Sequence, residues 1–392
     1  MASASPPVVG PPLEGLTVVA VEQSVAAPLC SRILADMGAR VIKVERPPAG
    51  DFARHWDDHV HGESGQYWWL NRGKESIALD LQSAEDHALL DQLLASADVL
   101  VHNMSPGAAE RVGIGRAACE RFPALVNCQI SGYGDHGAFR DRKAYDMLVQ
   151  AESGIMSLTG TRELPTRVGV SICDVATGIY AAAVVLAGVQ RLRETGTGAF
   201  LDLAMFDVAL EFVGPMLMSF MNSQVSYPRL AQHHHAIAPY GVFNCADDSP
   251  LLIAVEQDTE WLVFCERVLE APELSADTRF ATNLDRVRHR DELVALVAER
   301  FGRLGAQEAA DRLDAAGIAY AFVREVHDLP DHPVAVERGL FARERTRSGF
   351  EVASVIGLAA RAYGYPGRGR DRPPGLDEDG EAIRSSRPRG GS

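Results

Sequence analysis

The sequence predicts a doubly wound α/β domain joined to a smaller domain. Three observations predict it. Short apolar strand patterns alternate with helix-length segments from residue 17 to residue 131. The texture then turns from apolar to turn-rich near residue 225. A chain of 392 residues is also long enough for two domains at roughly 150 residues each.

The elements follow in order. Residues 1–12 (MASASPPVVGPP) form a Pro-rich lead-in. TVVAV at 17–21 is a buried-strand pattern, a helix covers 28–37 and stops at Gly38, and RVIKVE at 40–45 is the next strand. That unit of about 30 residues suits a parallel crossover. A strand at 76–81, a helix at 84–95, a strand at 98–102, a short helix near Ala108 and a strand at 125–131 continue the alternation. A helix is expected at 174–194, with Asp174 as N-cap and Gly196-Thr-Gly198 as stop signal. FLDLAM at 200–205 alternates as a strand, and 207–222 is an apolar helix. A strand at 251–255 and helices at 259–269, 290–301 and 307–316 suggest the smaller domain. The strand at 319–323 is expected to return to the first sheet. The tail from Gly367, rich in Arg, Pro, Gly and Asp, reads as irregular.

Composition excludes several classes. The net charge of −15 opposes a nucleic-acid binder and docking on anionic lipid. The six cysteines form no C-x-x-C pair, and scattered thiols suit a reducing compartment, so a cytoplasmic location is expected. The start lacks a secretory pattern, and the apolar run 180–189 is too short to span a bilayer. A G-x-G-x-x-A string at 113–118 lies far from the first strand, where a dinucleotide loop belongs. His55, His59, His61 and the run His233-His234-His235 lack the spacing of a metal set, so no metal is expected. Trp56, Tyr67, Trp68 and Trp69 read as packing residues rather than a base-stacking surface.

Three segments carry the functional reading: 97–113 (ADVLVHNMSPGAAERVG), 143–160 (KAYDMLVQAESGIMSLTG) and 167–180 (RVGVSICDVATGIY). GARVIKVER at 38–46 with Gly50-Asp51, NRGKESIALD at 71–80 and TGTG at 195–198 accompany them in order. With these motifs the sequence resembles the class III CoA-transferase superfamily from about residue 13 to 357. That superfamily includes formyl-CoA transferase, carnitine CoA-transferase and α-methylacyl-CoA racemase.

The resemblance implies a Rossmann-like large domain built from both chain ends, a smaller α+β domain between them and an interlocked homodimer. On that basis 1–12 is the lead-in, 13–206 the first part of the CoA-binding domain and 207–224 a linker helix. Residues 225–305 form the small domain, and 306–392 return to the large domain with an irregular tail. It implies that Asp174 attacks an acyl-CoA thioester and carries CoA as an aspartyl thioester. Residues alone leave the plainer reading, a helix cap, open. By resemblance Arg46 lies near the adenine; Leu79, Asn103, Met104, Ala108 and Arg111 line the nucleotide and pantetheine channel; Lys143 and Tyr145 flank the path to Asp174; and Met205 packs beside it.

The acyl site is expected at Ser24, Val25, His235, Tyr240 and Gly241. Val25 replaces the family's glutamine, so Ser24 or a backbone N–H must stabilise the reacting oxygen. The racemase branch carries His where this chain has Tyr145, which favours transfer over racemisation; a non-catalytic acyl-CoA binder is a further alternative. The loop 233–241 stands where the family has a mobile glycine-rich loop. It resembles that of members acting on itaconate, mesaconate or citramalate with succinyl-CoA as donor, with Arg142 and the histidines meeting a second carboxylate. The partners implied are acyl-CoA and a small carboxylic acid, with no cofactor beyond CoA.

Overall fold

The computed structural model describes residues 10–357, 361–362 and 372–386. Most of the lead-in (1–9) and parts of the tail (363–371 and 387–392) lie outside the described residues. The chain divides into two compact units. The first comprises Met1–Ile155, Val168–Gly214 and Val334–Ser392; the second comprises Met156–Arg167 and Pro215–Pro333.

The first unit is built on six parallel strands: β1 (Thr17–Val21), β2 (Arg40–Glu45), β3 (Glu75–Ala78), β4 (Val99–His102), β5 (Val126–Ser131) and β6 (Ala199–Ala204), in the order β3-β2-β1-β4-β5-β6. The runs of β1, β2, β4 and β5 are buried on both faces, as a covered parallel sheet requires. The order reverses between β1 and β4, so a crevice opens beyond their carboxyl ends. On one face the helices Ala26–Asp36 and Ile172–Thr195 pack through Ala27, Cys30, Leu34, Ala181, Val185 and Val189. On the other, Ala84–Ala95 contributes Leu90, Leu93 and Leu94.

Helix Ile172–Thr195 has the length and composition of a membrane span, but its small apolar face is core against β1, β4 and β5. It closes on Gly196 at φ +69, the left-handed position that the TGTG string anticipates. A Cβ at Gly178 would lie 2.7 Å from the Ala26 carbonyl oxygen, so only glycine allows the two helices to touch there.

The second unit holds the antiparallel sheet β7 (Tyr240–Asn244), β8 (Pro250–Ala254) and β9 (Ala319–Phe322), over a core of Trp261, Phe264, Phe280, Phe301 and Leu313. Three expectations change. The strand expected to return to the first sheet pairs with β8, because Ala306–Ala316 packs Ala309 and Leu313 into this core and carries the chain straight into it. Residues 306–333 therefore belong with the second unit, and so do 156–167.

The tail is also more ordered than expected. After the antiparallel pair β10 (Phe341–Arg345) and β11 (Glu351–Val355), the helix Gly380–Ser385 docks on β3. Asp379 and Asp377 accept the Ser76 and Ala78 N–H groups at 2.9 and 2.8 Å, which satisfies an edge strand, and Ile383 is buried.

Candidate active site

Asp174 is not the N-cap. Ser171 occupies that position without a side-chain bond, and Asp174 sits in the first turn of Ile172–Thr195. The helix start is capped instead by Asp146, whose Oδ1 accepts the Cys173 N–H at 2.8 Å and the Asp174 N–H at 3.2 Å. Gln150, one turn on in Asp146–Glu152, donates to Asp146 Oδ2 at 2.7 Å and accepts the Val168 N–H at 2.8 Å. Sequence reasoning misses this buried pair, although Asp-x-x-x-Gln at helical spacing inside the 143–160 motif could have found it.

Burial, reinforced by the Asp146 charge, pushes the Asp174 carboxyl up to about 7. The helix terminus favours the anion by about 0.3–1 kcal/mol, which is too little to offset that penalty.

A second helix start lies beside it. Ala26–Asp36 has no side-chain cap and no acid in its first turn. Its Ala26 and Leu29 touch Gly178, one turn beyond Asp174, and Val25 packs with Leu29, Leu70 and Val175. Ser24 adopts φ +69, and its N–H donates to Asp51 Oδ1 at 3.1 Å, so that N–H is not available to a substrate oxygen. The N–H groups of the uncapped turn are the ones that can meet a developing oxyanion.

A cleft of about 300 Å³ opens at the carboxyl ends of β1 to β4, where the strand order reverses. Of the predicted channel residues, Arg46, Leu79, Asn103 and Met104 line it. Glu22, Gln23, Asp51, Asp80 and Gln82 line it too and were missed. Asn103 bridges the switch point, accepting the Gln23 N–H at 3.1 Å and donating to the Gln23 carbonyl at 2.7 Å. Ala108 and Arg111 sit on the following helix Pro106–Arg111, outside the cleft wall, with Arg111 exposed. Lys143 and Tyr145 are exposed just before Asp146, and Met205 is buried at the start of Met205–Ser223.

Motif residues Lys43, Glu45, Asp51 and Lys74 form a buried network under this cleft. Lys43 donates to Asp51 Oδ2 at 2.9 Å, and Lys74 donates to Glu22 at 2.7 Å, to Asn71 at 2.9 Å and to the Pro28 carbonyl at 2.9 Å. Arg54 forks onto Glu45 at 2.6 and 2.8 Å and holds that carboxyl down at about 2.

The histidine loop belongs to the second unit and is braced rather than glycine-rich. Arg290 donates to the carbonyls of His234, His235 and Ile237, Asn283 to that of Ala236 and Arg286 to that of Ala238. Tyr240 and Gly241 open β7, with His234 stacked on Tyr240 and His235 edge-on to Tyr227. Burial, with the neighbouring His234 and Arg290, lowers the His235 pKa. Arg142, expected to meet a substrate carboxylate, pairs with Glu152 at 3.0 Å. Of the expected packing aromatics, Tyr67 and Trp68 are buried and Trp56 is exposed.

A switch-point cleft at the carboxyl ends of a doubly wound parallel sheet is the place where α/β proteins of the nucleotide-binding type take their ligands. The chain belongs to CoA-transferase family III, whose description matches residues 13–380. It is 33% identical to the acetyl-CoA:oxalate CoA-transferase of Acetobacter aceti, over 95% of both chains. It is 32% identical to the succinyl-CoA:glutarate CoA-transferase of Mus musculus, over 84% of this chain and 76% of that one. A solved CAIB/BAIF family protein from Brucella suis superposes with TM-score 0.80 at 31% identity, covering 95% of this chain and 98% of that one.

Proposed function

We propose that this transferase moves CoA from an acyl-CoA, succinyl-CoA first among the donors, to a C4–C5 dicarboxylate such as itaconate, mesaconate or citramalate, through an aspartyl-CoA thioester on Asp174. The Asp174 carboxylate attacks the thioester carbonyl, the acyl C–S bond breaks and CoA leaves as thiolate, giving a mixed anhydride. The thiolate attacks the aspartyl carbonyl and releases the donor acid. The acceptor carboxylate then attacks the aspartyl thioester and expels the thiolate. The thiolate returns to the acceptor's acyl carbon and frees Asp174 with the new acyl-CoA.

The observation that carries this reading is the half-buried Asp174 in the first turn of its helix, with the uncapped start of Ala26–Asp36 packed against Gly178 one turn further on. A carboxylate poorly solvated in the free enzyme is a better nucleophile than one in water, and the neighbouring N–H groups can receive the oxyanion. The nucleotide end of CoA is assigned to the cleft, with Arg46 as its phosphate or adenine contact and Asn103 and Met104 along the pantetheine. Family relatives named for citramalate, mesaconate and glutarate, with succinyl-CoA, support the donor and the acceptor class.

A homodimer is part of the proposal. Tyr145, Met147, Leu148, Ile179 and Tyr180 expose large apolar side chains around the Asp174 turn, and a second copy would cover them. Light scattering should give two chains per particle.

Mass spectrometry after incubation with succinyl-CoA, then hydroxylamine or borohydride, should map a modification to Asp174. An unmodified peptide from an enzyme that still turns over would end the proposal. Exchange of an α-deuteron without any acceptor would identify a racemase instead.

A further inference from the structure

We propose that Asp51 is a positioning residue for this reaction, holding Ser24 in a left-handed backbone conformation that sets the start of helix Ala26–Asp36 beside Asp174. The role rests on the transfer reading above.

Ser24 has φ +69, a left-handed conformation that is uncommon for residues other than glycine, asparagine and aspartate. This position holds a serine, so the surroundings must impose the conformation. The tether is the Asp51 carboxylate. Its Oδ1 accepts the Ser24 N–H at 3.1 Å and the Ala53 N–H at 2.9 Å. Its Oδ2 accepts from Lys43 Nζ at 2.9 Å, and both side chains are fully buried. The preceding residue is fixed from the opposite side by the Asn103 bonds to both backbone groups of Gln23. The following residue, Val25, is seated on Leu29, Leu70 and Val175, the neighbour of Asp174.

Residue 24 is thus the hinge at which β1 turns into the uncapped helix. Released from Asp51, a serine relaxes to negative φ and swings the Ala26 and Ala27 N–H groups away. Asp51 also borders the cleft, with its carboxylate turned into the buried network beneath it.

The test is a double-mutant cycle of Asp51→Ala with Ser24→Gly in the full-length enzyme, reading formation of Asp174-linked CoA from succinyl-CoA and from acetyl-CoA. Glycine accepts positive φ without help, so it should make the tether dispensable. Asp51→Ala should lower the maximal rate by about thirtyfold when Ser24 is kept, and by no more than about threefold in the Ser24→Gly background, with KM for the acyl-CoA little changed. Equal losses in both backgrounds, or a loss confined to KM, would overturn the role. If Asp51→Ala does not fold, the same cycle with Asp51→Ala combined with Lys43→Met decides, because the pair removes the tether without leaving the buried ammonium unpartnered. Wild-type enzyme without any Asp174-linked CoA would overturn the transfer reading and this role together; normal adducts with no coupling would overturn the tether alone.

Discussion

Asp174→Asn should make the protein more stable at alkaline pH while abolishing transfer. The folded-state pKa is raised from an ordinary 3.8 to about 7 by burial and by Asp146. Between those values the folded chain holds a proton that the unfolded chain has lost. The stability contributed by the neutral carboxyl is therefore complete below about pH 3.8, declines as pH rises, and is lost once pH passes about 7. At about 1.4 kcal/mol for each pH unit, the gap sets a ceiling of about 4 kcal/mol. Partial exposure and relaxation reduce it to about 1–3 kcal/mol.

Asparagine removes the penalty and nearly preserves the shape. Urea unfolding at pH 5 and pH 8 is the assay. The variant should gain about 1–3 kcal/mol over wild type at pH 8 and much less at pH 5. A difference independent of pH would refute an elevated carboxyl and the electrostatic argument with it. Loss of activity with a gain in stability is the signature of a strained functional group rather than of a structural cap, whose removal costs about 1 kcal/mol.

Other outcomes follow from the same geometry. The rate of aspartyl-CoA formation at limiting acyl-CoA should fall about tenfold per pH unit below about 7, and Asp146→Asn should move that limb to lower pH, read from pH–rate profiles. Gly178→Ala drives a methyl against the Ala26 carbonyl and should cost about 1–3 kcal/mol of stability and part of the rate, checked by thermal unfolding and kinetics. Asn103→Ala opens the bridge across the switch point and should raise KM for the acyl-CoA with less effect on kcat. Removal of residues 372–392 exposes the edge of β3 and should lower Tm by several degrees, measured by calorimetry.

Much of the site was legible because its motifs are local. Leu79, Asn103 and Met104 were expected from the resemblance of those motifs to a family, and the structure puts them at strand ends beside the switch point, where a parallel sheet binds ligands. Asp174 was legible as a residue near a helix start. Its protonation was not, because desolvation depends on the turns packed above it and on Asp146, 28 residues earlier. Asp51 and Glu22 were unreadable for a similar reason. Alone they are ordinary acids, and only burial against Lys43 and Lys74 gives them a role. The tail misled because its composition is that of a loop; the strand edge it satisfies is about 300 residues away.

The sequence by itself determined the alternation of strands and helices and the place of the crossover units, since each is set by neighbours within a turn or a few residues; the role expected of Asp174 came from its motif's resemblance to a family. Only the tertiary structure decided which sheet received β9, which carboxylate capped the Asp174 helix, and that burial beside Asp146 raises the Asp174 carboxyl. Those depend on burial and on contacts between distant segments. Both come from packing, and no local spacing encodes them.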